Sequence, residues 1–504
     1  MATGKSVQKV LLVFPAAQHN SPIAGFVYSP PLGISYLAAS IRDLCDVRVL
    51  DLTVEGIGLR RISARGDLYL YGLSPEQFRS RIESERPDLV AISCLFSGQI
   101  VDILNICRQV KQVSPDIFTL LGGTHPTFMA REIMQNHREV DFILLGESDA
   151  SFPLLIRALN GEGDLSRIDG IAFRGNGNEV VNPKTHYIEN LDEIPFPALD
   201  LLPMETYYRI HKPISSIVLG SLPESRRFAP MITSRGCPFR CRFCSSTRYW
   251  GYRYRYRSAA NILEEIEERV ERYGIGEIQF LDDNLTVNRA RALELFRGMI
   301  DRKLPIRWCM PNGVQVSTLD DELLELMRRS GCYEMNLAIE SGCQDVLDRI
   351  IQKPLKLSSV DGVVRKAKSI GIRLNAFFMI GLPGETQAQI RKTLEYARRS
   401  DVDFPILFKT NPLVGSEVHR ICVEKGYISR NYELQDNDFF KARFDSDQFD
   451  RKTIDRLAAR HYFWVYRRML LRNPRRFFRV FLPIMVKMPV RFLSFAIRKL
   501  ARTL

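Results

Sequence analysis

The sequence predicts an α/β protein: an N-terminal doubly wound parallel sheet, then a partial barrel of six βα units, then a basic helical tail. Three observations predict it. Short apolar runs alternate with amphipathic stretches over the first 182 residues, the pattern breaks in a proline-rich stretch and restarts near residue 230, and the excess positive charge is gathered after residue 450. The expected divisions are 1–182 for the first domain, 183–229 for a linker, 230–430 for the barrel and 431–504 for the tail.

Lys9–Pro15 (KVLLVFP) is a continuous apolar run, as a strand buried on both faces should be. Val47–Asp51, Asp88–Cys94, Ile117–Leu121 and Asp141–Leu145 repeat it, with helical stretches such as Gly33–Leu44 and Ile100–Val113 between. Five strands joined by helices give an open sheet of the Rossmann or flavodoxin kind, which takes ligands beyond the carboxyl ends of its strands. Glu193-Ile194-Pro195-Phe196-Pro197 and Leu202-Pro203 read as linker. The second series has strands at Met231–Ser234, Glu277–Asp282, Arg307–Met310, Glu334–Glu340, Arg373–Ile380 and Pro405–Lys409, with helices such as Ala259–Tyr273 and Asp320–Arg329. In barrels of this kind chemistry gathers at the carboxyl ends of the strands.

The apolar fraction of 45% is that of a globular protein. No stretch approaches the ~20 apolar residues of a membrane span, and Met1 to Gln8 does not read as a signal peptide, so a cytoplasmic location is expected. From Arg451 onward there are 15 Lys/Arg and one acid, while the rest of the chain carries 56 basic and 57 acidic residues. The body is electrically balanced and the basicity belongs to the tail.

Of ten cysteines, seven are scattered and read as small buried hydrophobes. The other three stand close together: Arg235-Gly236-Cys237-Pro238-Phe239-Arg240-Cys241-Arg242-Phe243-Cys244. Three thiolates on one short loop can hold a cubane cluster and leave its fourth iron open to a small ligand. Structural zinc takes four ligands, typically in two pairs, and no second pair lies nearby. The C-x3-C-x2-C spacing with Phe243 as its aromatic resembles the radical S-adenosylmethionine (SAM) superfamily over roughly residues 230–428. The resemblance implies a 4Fe–4S cluster on Cys237, Cys241 and Cys244, with SAM cleaved to a 5′-deoxyadenosyl radical. It also implies SAM contacts at strand ends. These are Phe243 in the cluster loop, Asp282-Asp283-Asn284 for the ammonium group, Glu340-Ser341 for the ribose, and Gly381 and Gly384 (within Gly381-Leu382-Pro383-Gly384-Glu385) with Pro412 for the adenine. Asp282 equally reads as a cap of the next helix.

The first domain is similar to the cobalamin-binding domains of this superfamily's cobalamin-dependent (class B) branch. The similarity rests on Ser93-Cys94-Leu95, on Gly122-Gly123-Thr124 and on Gly146-Glu147, each after a strand. Asp51, Thr53 and Gly56 align with a D-x-H-x-x-G element, and Thr53 stands where the cobalt-ligating histidine would be. Bound cobalamin is therefore expected to lack a lower histidine ligand. His125 reads as a polar contact or a helix cap rather than a metal ligand.

The resemblance implies methylation of an unactivated carbon in a small-molecule or lipid-like substrate, by way of a 5′-deoxyadenosyl radical and methylcobalamin. A non-methylating radical cyclase or rearrangement enzyme of the same family is the alternative, and a non-catalytic cobalamin or redox sensor is the reading from another class. An electron donor of flavodoxin or ferredoxin type is implied. Tyr249 to Arg257 (YWGYRYRYR) reads as a solvated face of stacked Arg and Tyr, ahead of an active-site cover or a nucleic-acid contact. The tail, with arginines among Phe, Leu, Val and Met and with Pro474, Pro483 and Pro489 interrupting it, reads as short amphipathic segments lying on an anionic membrane surface, ahead of a helical cap packed on the barrel with a basic outer face.

Overall fold

The computed structural model describes residues 6–19, 28–62, 69–175, 177–211, 224–429, 441–475, 477–478 and 482. The first unit contains β1 (Lys9–Phe14), β2 (Ala17–His19), β3 (Asp46–Asp51), β4 (Arg60–Ile62), β5 (Tyr69–Tyr71), β6 (Leu89–Ser93), β7 (Phe118–Gly122), β8 (Phe142–Leu144), β9 (Ile171–Gly175) and β10 (Asn178–Asn182). The main sheet runs β10-β9-β8-β7-β6-β1-β3, and its last five strands are parallel. In chain order those five read 2-1-3-4-5, the flavodoxin-like order, so the direction of winding switches between β1 and β6. Apolar layers cover both faces, one holding Leu11, Val13 and Ile92 and the other Val10, Leu12 and Ala91. Consecutive strand residues thus point to opposite, equally dry sides, which is why β1 has no polar alternation.

Two features extend the expectation. β9 and β10 add an antiparallel hairpin at one edge, its register pairing Gly175 with Asn178. Asn176-Gly177 in the sequence between the two runs is a hairpin signal. β2, β5 and β4 form a separate small antiparallel sheet.

The second unit contains β11 (Phe228–Met231), β12 (Ser234–Arg235), β13 (Arg255–Tyr256), β14 (Glu277–Phe280), β15 (Arg307–Val314), β16 (Cys332–Glu340), β17 (Arg373–Ile380) and β18 (Phe404–Lys409). Six of these make an all-parallel sheet in the order β11-β14-β15-β16-β17-β18, the open barrel expected. Its first strand lies three residues earlier than Met231–Ser234. Pro230 is tolerated because β11 is an edge strand, and Ser234 and Arg235 pair instead with Tyr256 and Arg255.

Residues 183–229 do more than link. Leu191 and Ile194 pack with Leu32 and Tyr36 of the first unit. The helix Met204–Ile210 buries Met204, Tyr207 and Tyr208 in the barrel core. The Tyr207 hydroxyl also donates to Asp51 Oδ2 at 2.6 Å, so this segment joins the two sheets. The helix Arg451–Arg472 closes the far side of the barrel, with Tyr462 bonded to both backbone groups of Leu407.

Candidate functional site

The cysteine loop leaves β12 through Gly236, at φ +83, where a Cβ would come 2.3 Å from the carbonyl oxygen of Arg253. The loop is held from two sides. Arg242 N–H donates to Ile351 O at 3.0 Å, and Arg242 O accepts from Val418 N–H at 3.1 Å. Cys237, Cys241 and Cys244 are all partly exposed, whereas Cys94, Cys107, Cys309, Cys332, Cys343 and Cys422 are buried. Burial pushes the Cys237 thiol up to about 11 and the Cys244 thiol up to about 12, so a bound cation is needed to hold them as thiolates at neutral pH. Among the described residues no three His, Cys, Asp or Glu side chains converge on a single-ion site. Cubane ligation does not require it, because each thiolate takes its own iron.

Beside this loop lies a cavity of about 990 Å³. Ser93, Leu95, Gly122, Gly123, Thr124, Gly146 and Glu147 line it from the first sheet; Phe243, Cys244, Asp283 and Glu340 line it from the barrel. The carboxyl edges of two unrelated sheets thus open onto one space. The turn after β7 is tight, with Gly123 at φ +109 and a Cβ there 2.5 Å from Cys94 O. Only glycine fits so close a crossing of backbones.

On the barrel wall, Asp282 Oδ1 accepts from Thr233 N–H at 3.1 Å, the Thr233 hydroxyl at 2.7 Å and the Ser234 hydroxyl. Asp282 thereby ties down the start of the cluster loop rather than capping a helix. Asp283 faces the cavity and accepts from Ser246. Burial raises the pKa of both aspartates. Glu340 adopts φ +68, a left-handed backbone that a glutamate rarely takes, and pairs at 3.5 Å with buried Lys353. Asp282 Oδ2, Asn284 Nδ2 and Asn411 Nδ2 are buried without a partner among the described residues. Of the three residues Asn411 lines the cavity, so its amide is an orphaned donor suited to a ligand that brings an acceptor.

Several expected contacts have other work. Ser341 is fully buried and bonds Thr393 at 2.9 Å. Gly381 and Leu382 donate their N–H groups to Glu385, at 2.8 and 3.1 Å, so Glu385 braces the glycine turn. Pro412 is buried between Asn411 and Leu413, the two residues that reach the cavity. Asp51, Thr53 and Gly56 are not among its lining residues. Asp51 caps a short turn through Thr53 N–H and Val54 N–H, Thr53 accepts from Ala17 N–H at 2.9 Å, and a Cβ on Gly56 would meet Leu73 N at 2.1 Å. They form a backbone buckle at the carboxyl end of β3. His125 bonds Ser97 at 2.9 Å and is pushed down to about 4 by burial, hence neutral.

The Tyr249–Arg257 stretch is not a solvated face. Arg255 and Arg257 are buried, while Tyr252, Arg253 and Tyr256 are exposed. Acidic partners reverse the expected order: Glu147 for Arg255 and Glu265 for Arg257. Sequence reasoning also missed Asn312. A register shift between Met310 and Val314 breaks β15, Gly313 takes φ +100, and Asn312 is placed in the cavity wall, donating to Leu281 O at 2.7 Å. The Pro-Asn-Gly triplet was the available signal.

Comparison with known proteins agrees with this arrangement. Residues 26–156 match the B12 binding domain family and residues 231–397 the Radical SAM superfamily. The chain is 32% identical over 459 residues to cytidylyl-2-hydroxyethylphosphonate methyltransferase of Streptomyces wedmorensis, covering 85% of this chain and 84% of that one. It is 27% identical over 407 residues to the anaerobic magnesium-protoporphyrin IX monomethyl ester cyclase of Rubrivivax gelatinosus, covering 80% and 70%. The fold matches that of the radical SAM methyltransferase TsrM from Kitasatospora setae, solved with cobalamin and a [4Fe-4S] cluster, at a TM-score of 0.65 and 18% identity over 84% of this chain and 79% of that one. Two family matches in this order, over two sheets that share one cavity, mean that the chain belongs to the cobalamin-dependent radical SAM enzymes, which work with a 4Fe–4S cluster, SAM and cobalamin.

Proposed function

We propose that the enzyme methylates an unactivated carbon of a small-molecule or lipid-like substrate. When bound, the cluster supplies the electron that cleaves SAM to a radical, and cobalamin supplies the methyl-carrying metal. The chain's own residues do the placing. Cys237, Cys241 and Cys244 hold the cluster. Asp283, Glu340 and Asn411, which line the cavity, receive the polar groups of SAM. Ser93, Leu95, Gly122, Gly123, Thr124 and Gly146 let cobalamin approach the backbone of the first sheet. Phe243, Phe377, Met379 and Phe408 line the barrel side with apolar surface, which keeps water from a radical.

The observation that carries this reading is the single cavity faced by both carboxyl edges. Methyl transfer needs the two cofactors in van der Waals reach of one substrate, and a shared chamber meets that need. The 32%-identical relative is named for methyl transfer, which favours methylation. A cyclase is the second reading, since a relative of nearly the same coverage is named for cyclisation.

A peripheral membrane contact is part of the proposal. Phe463 and Leu471 are 45% and 71% exposed on the helix Arg451–Arg472, beside exposed Arg460 and Arg467. Apolar side chains with a basic rim suit an anionic surface. Reducing equivalents are proposed to come from a flavodoxin or ferredoxin. The test is an anaerobic assay with iron, sulfide, cobalamin, SAM and a strong reductant. Wild type should release 5′-deoxyadenosine and S-adenosylhomocysteine, and Cys241→Ala should release neither. Deoxyadenosine alone from wild type would replace methylation with cyclisation or rearrangement.

A further inference from the structure

Arg235 and Arg255 are direct partners in the two-residue antiparallel ladder that brackets the cluster loop. Like charges directly opposite each other in a ladder repel, and these two side chains are only 6% and 3% exposed. Among the described residues their carboxylate partners come from the first unit. Glu147 accepts from Arg235 Nη1, and from Arg255 Nη1 at 2.8 and 3.1 Å. Asp149 takes Arg235 in a two-pronged bond at 2.7 and 3.0 Å. The Glu147 carboxylate also accepts from Ile188 N–H at 2.9 Å, and the Arg235 guanidinium lies 5.6 Å from the Tyr36 ring and 5.1 Å from the Trp250 ring. Two buried cations and two buried anions, from opposite units, therefore complete one another. Arg235 stands two residues before Cys237, and Glu147 and Asp149 follow β8 at the other wall of the same cavity.

We infer that this four-residue cluster is a clasp that fixes the carboxyl edge of the first sheet over the cysteine loop, making Glu147 and Asp149 positioning residues for methyl transfer but not for SAM cleavage. Glu147 is thereby engaged with arginines rather than with cobalamin. The inference rests on the methyl-transfer reading. A cobalamin whose cobalt the added reductant has reduced would accept the methyl group of SAM as a cation and leave S-adenosylhomocysteine. One-electron cleavage, fed by an added reductant, leaves methionine and, after uptake of a hydrogen atom, 5′-deoxyadenosine. Only the first product requires the two units to be in register.

The test compares wild type, Asp149→Asn and Glu147→Gln, reconstituted with iron, sulfide and cobalamin and given SAM and dithionite. The ratio of S-adenosylhomocysteine to deoxyadenosine should fall about tenfold or more in both variants, because misplacement by about 1 Å has effects of that size or larger. Deoxyadenosine release by Asp149→Asn should be retained. In the cofactor-free proteins, amide hydrogen exchange should quicken at 145–149 and 234–256 and stay unchanged in the strands of each core. An unchanged ratio overturns the inference, as does a parallel loss of both products with faster exchange throughout the chain. If wild type itself releases no S-adenosylhomocysteine, the methyl-transfer reading fails separately, and the clasp stands or falls on whether exchange quickens at those two segments.

Discussion

A carboxyl group shut away from water keeps its proton longer than a free one, and Glu385 is fully buried. Burial pushes its pKa from the ordinary 4.5 up to about 8, despite the two backbone N–H groups that favour the charged form. The stability it confers is complete below pH 4.5 and is lost as pH rises through 8, by an amount on the order of a few kcal/mol. Glu385→Gln keeps an acceptor for Gly381 and Leu382 and removes the ionisation. The cofactor-free variant should lose less Tm than wild type between pH 5 and pH 8 in scanning calorimetry; parallel losses would refute this. At this scale the sequence was half legible. The spacing of Gly381, Gly384 and Glu385 located the turn, and the Cys237–Cys244 spacing located the cluster loop. Spacing does not say which way a turn faces, so it left unread that Asp51, Thr53 and Gly56 knit backbone together.

The turn after β7 shows what an element contributes. Gly123→Ala puts a methyl group 2.5 Å from Cys94 O on a backbone at φ +109. About 1–3 kcal/mol of stability should be lost in urea unfolding, and cobalamin titration should show weaker binding. Unchanged unfolding would mean that the turn relaxes freely. Elements whose ends carry their own chemistry were legible to the residue. The helix Ala259–Tyr273 begins at Ser258, which caps Asn261 N–H, and ends at Gly274 in the left-handed region. The hairpin of β9 and β10 carried an equally good Asn-Gly signal, but its strands are short and only half apolar, so periodicity did not raise it. β11 was misplaced because Pro230 reads as a strand breaker, and only the sheet order reveals that it sits on an edge.

Across the whole molecule, charge is the property most unevenly spread. Truncation after Asn473 removes eight Lys/Arg and no acid. At about 1 kcal/mol for each basic residue near an anionic surface, the truncated protein should lose most of its co-sedimentation with phosphatidylserine vesicles, while wild-type binding should weaken as salt rises. Unchanged co-sedimentation would remove the membrane from the proposal. Each sheet was legible because its signals are local runs of five to eight residues. Their mutual orientation was not, since it rests on pairs such as Glu147–Arg255 that are 108 residues apart and on a ring, Phe128, seated against Gly415.

That separation has a consequence for how the protein is made. Glu147 is synthesised 88 residues ahead of Arg235 and 108 ahead of Arg255, and at about 5–20 residues per second the nascent first sheet carries that carboxylate for roughly 5–20 s before both arginines have been made. A carboxylate that lacks its guanidinium partners stays hydrated, which disfavours burying that rim. The clasp can close fully only when the strand that follows the cysteine loop has emerged.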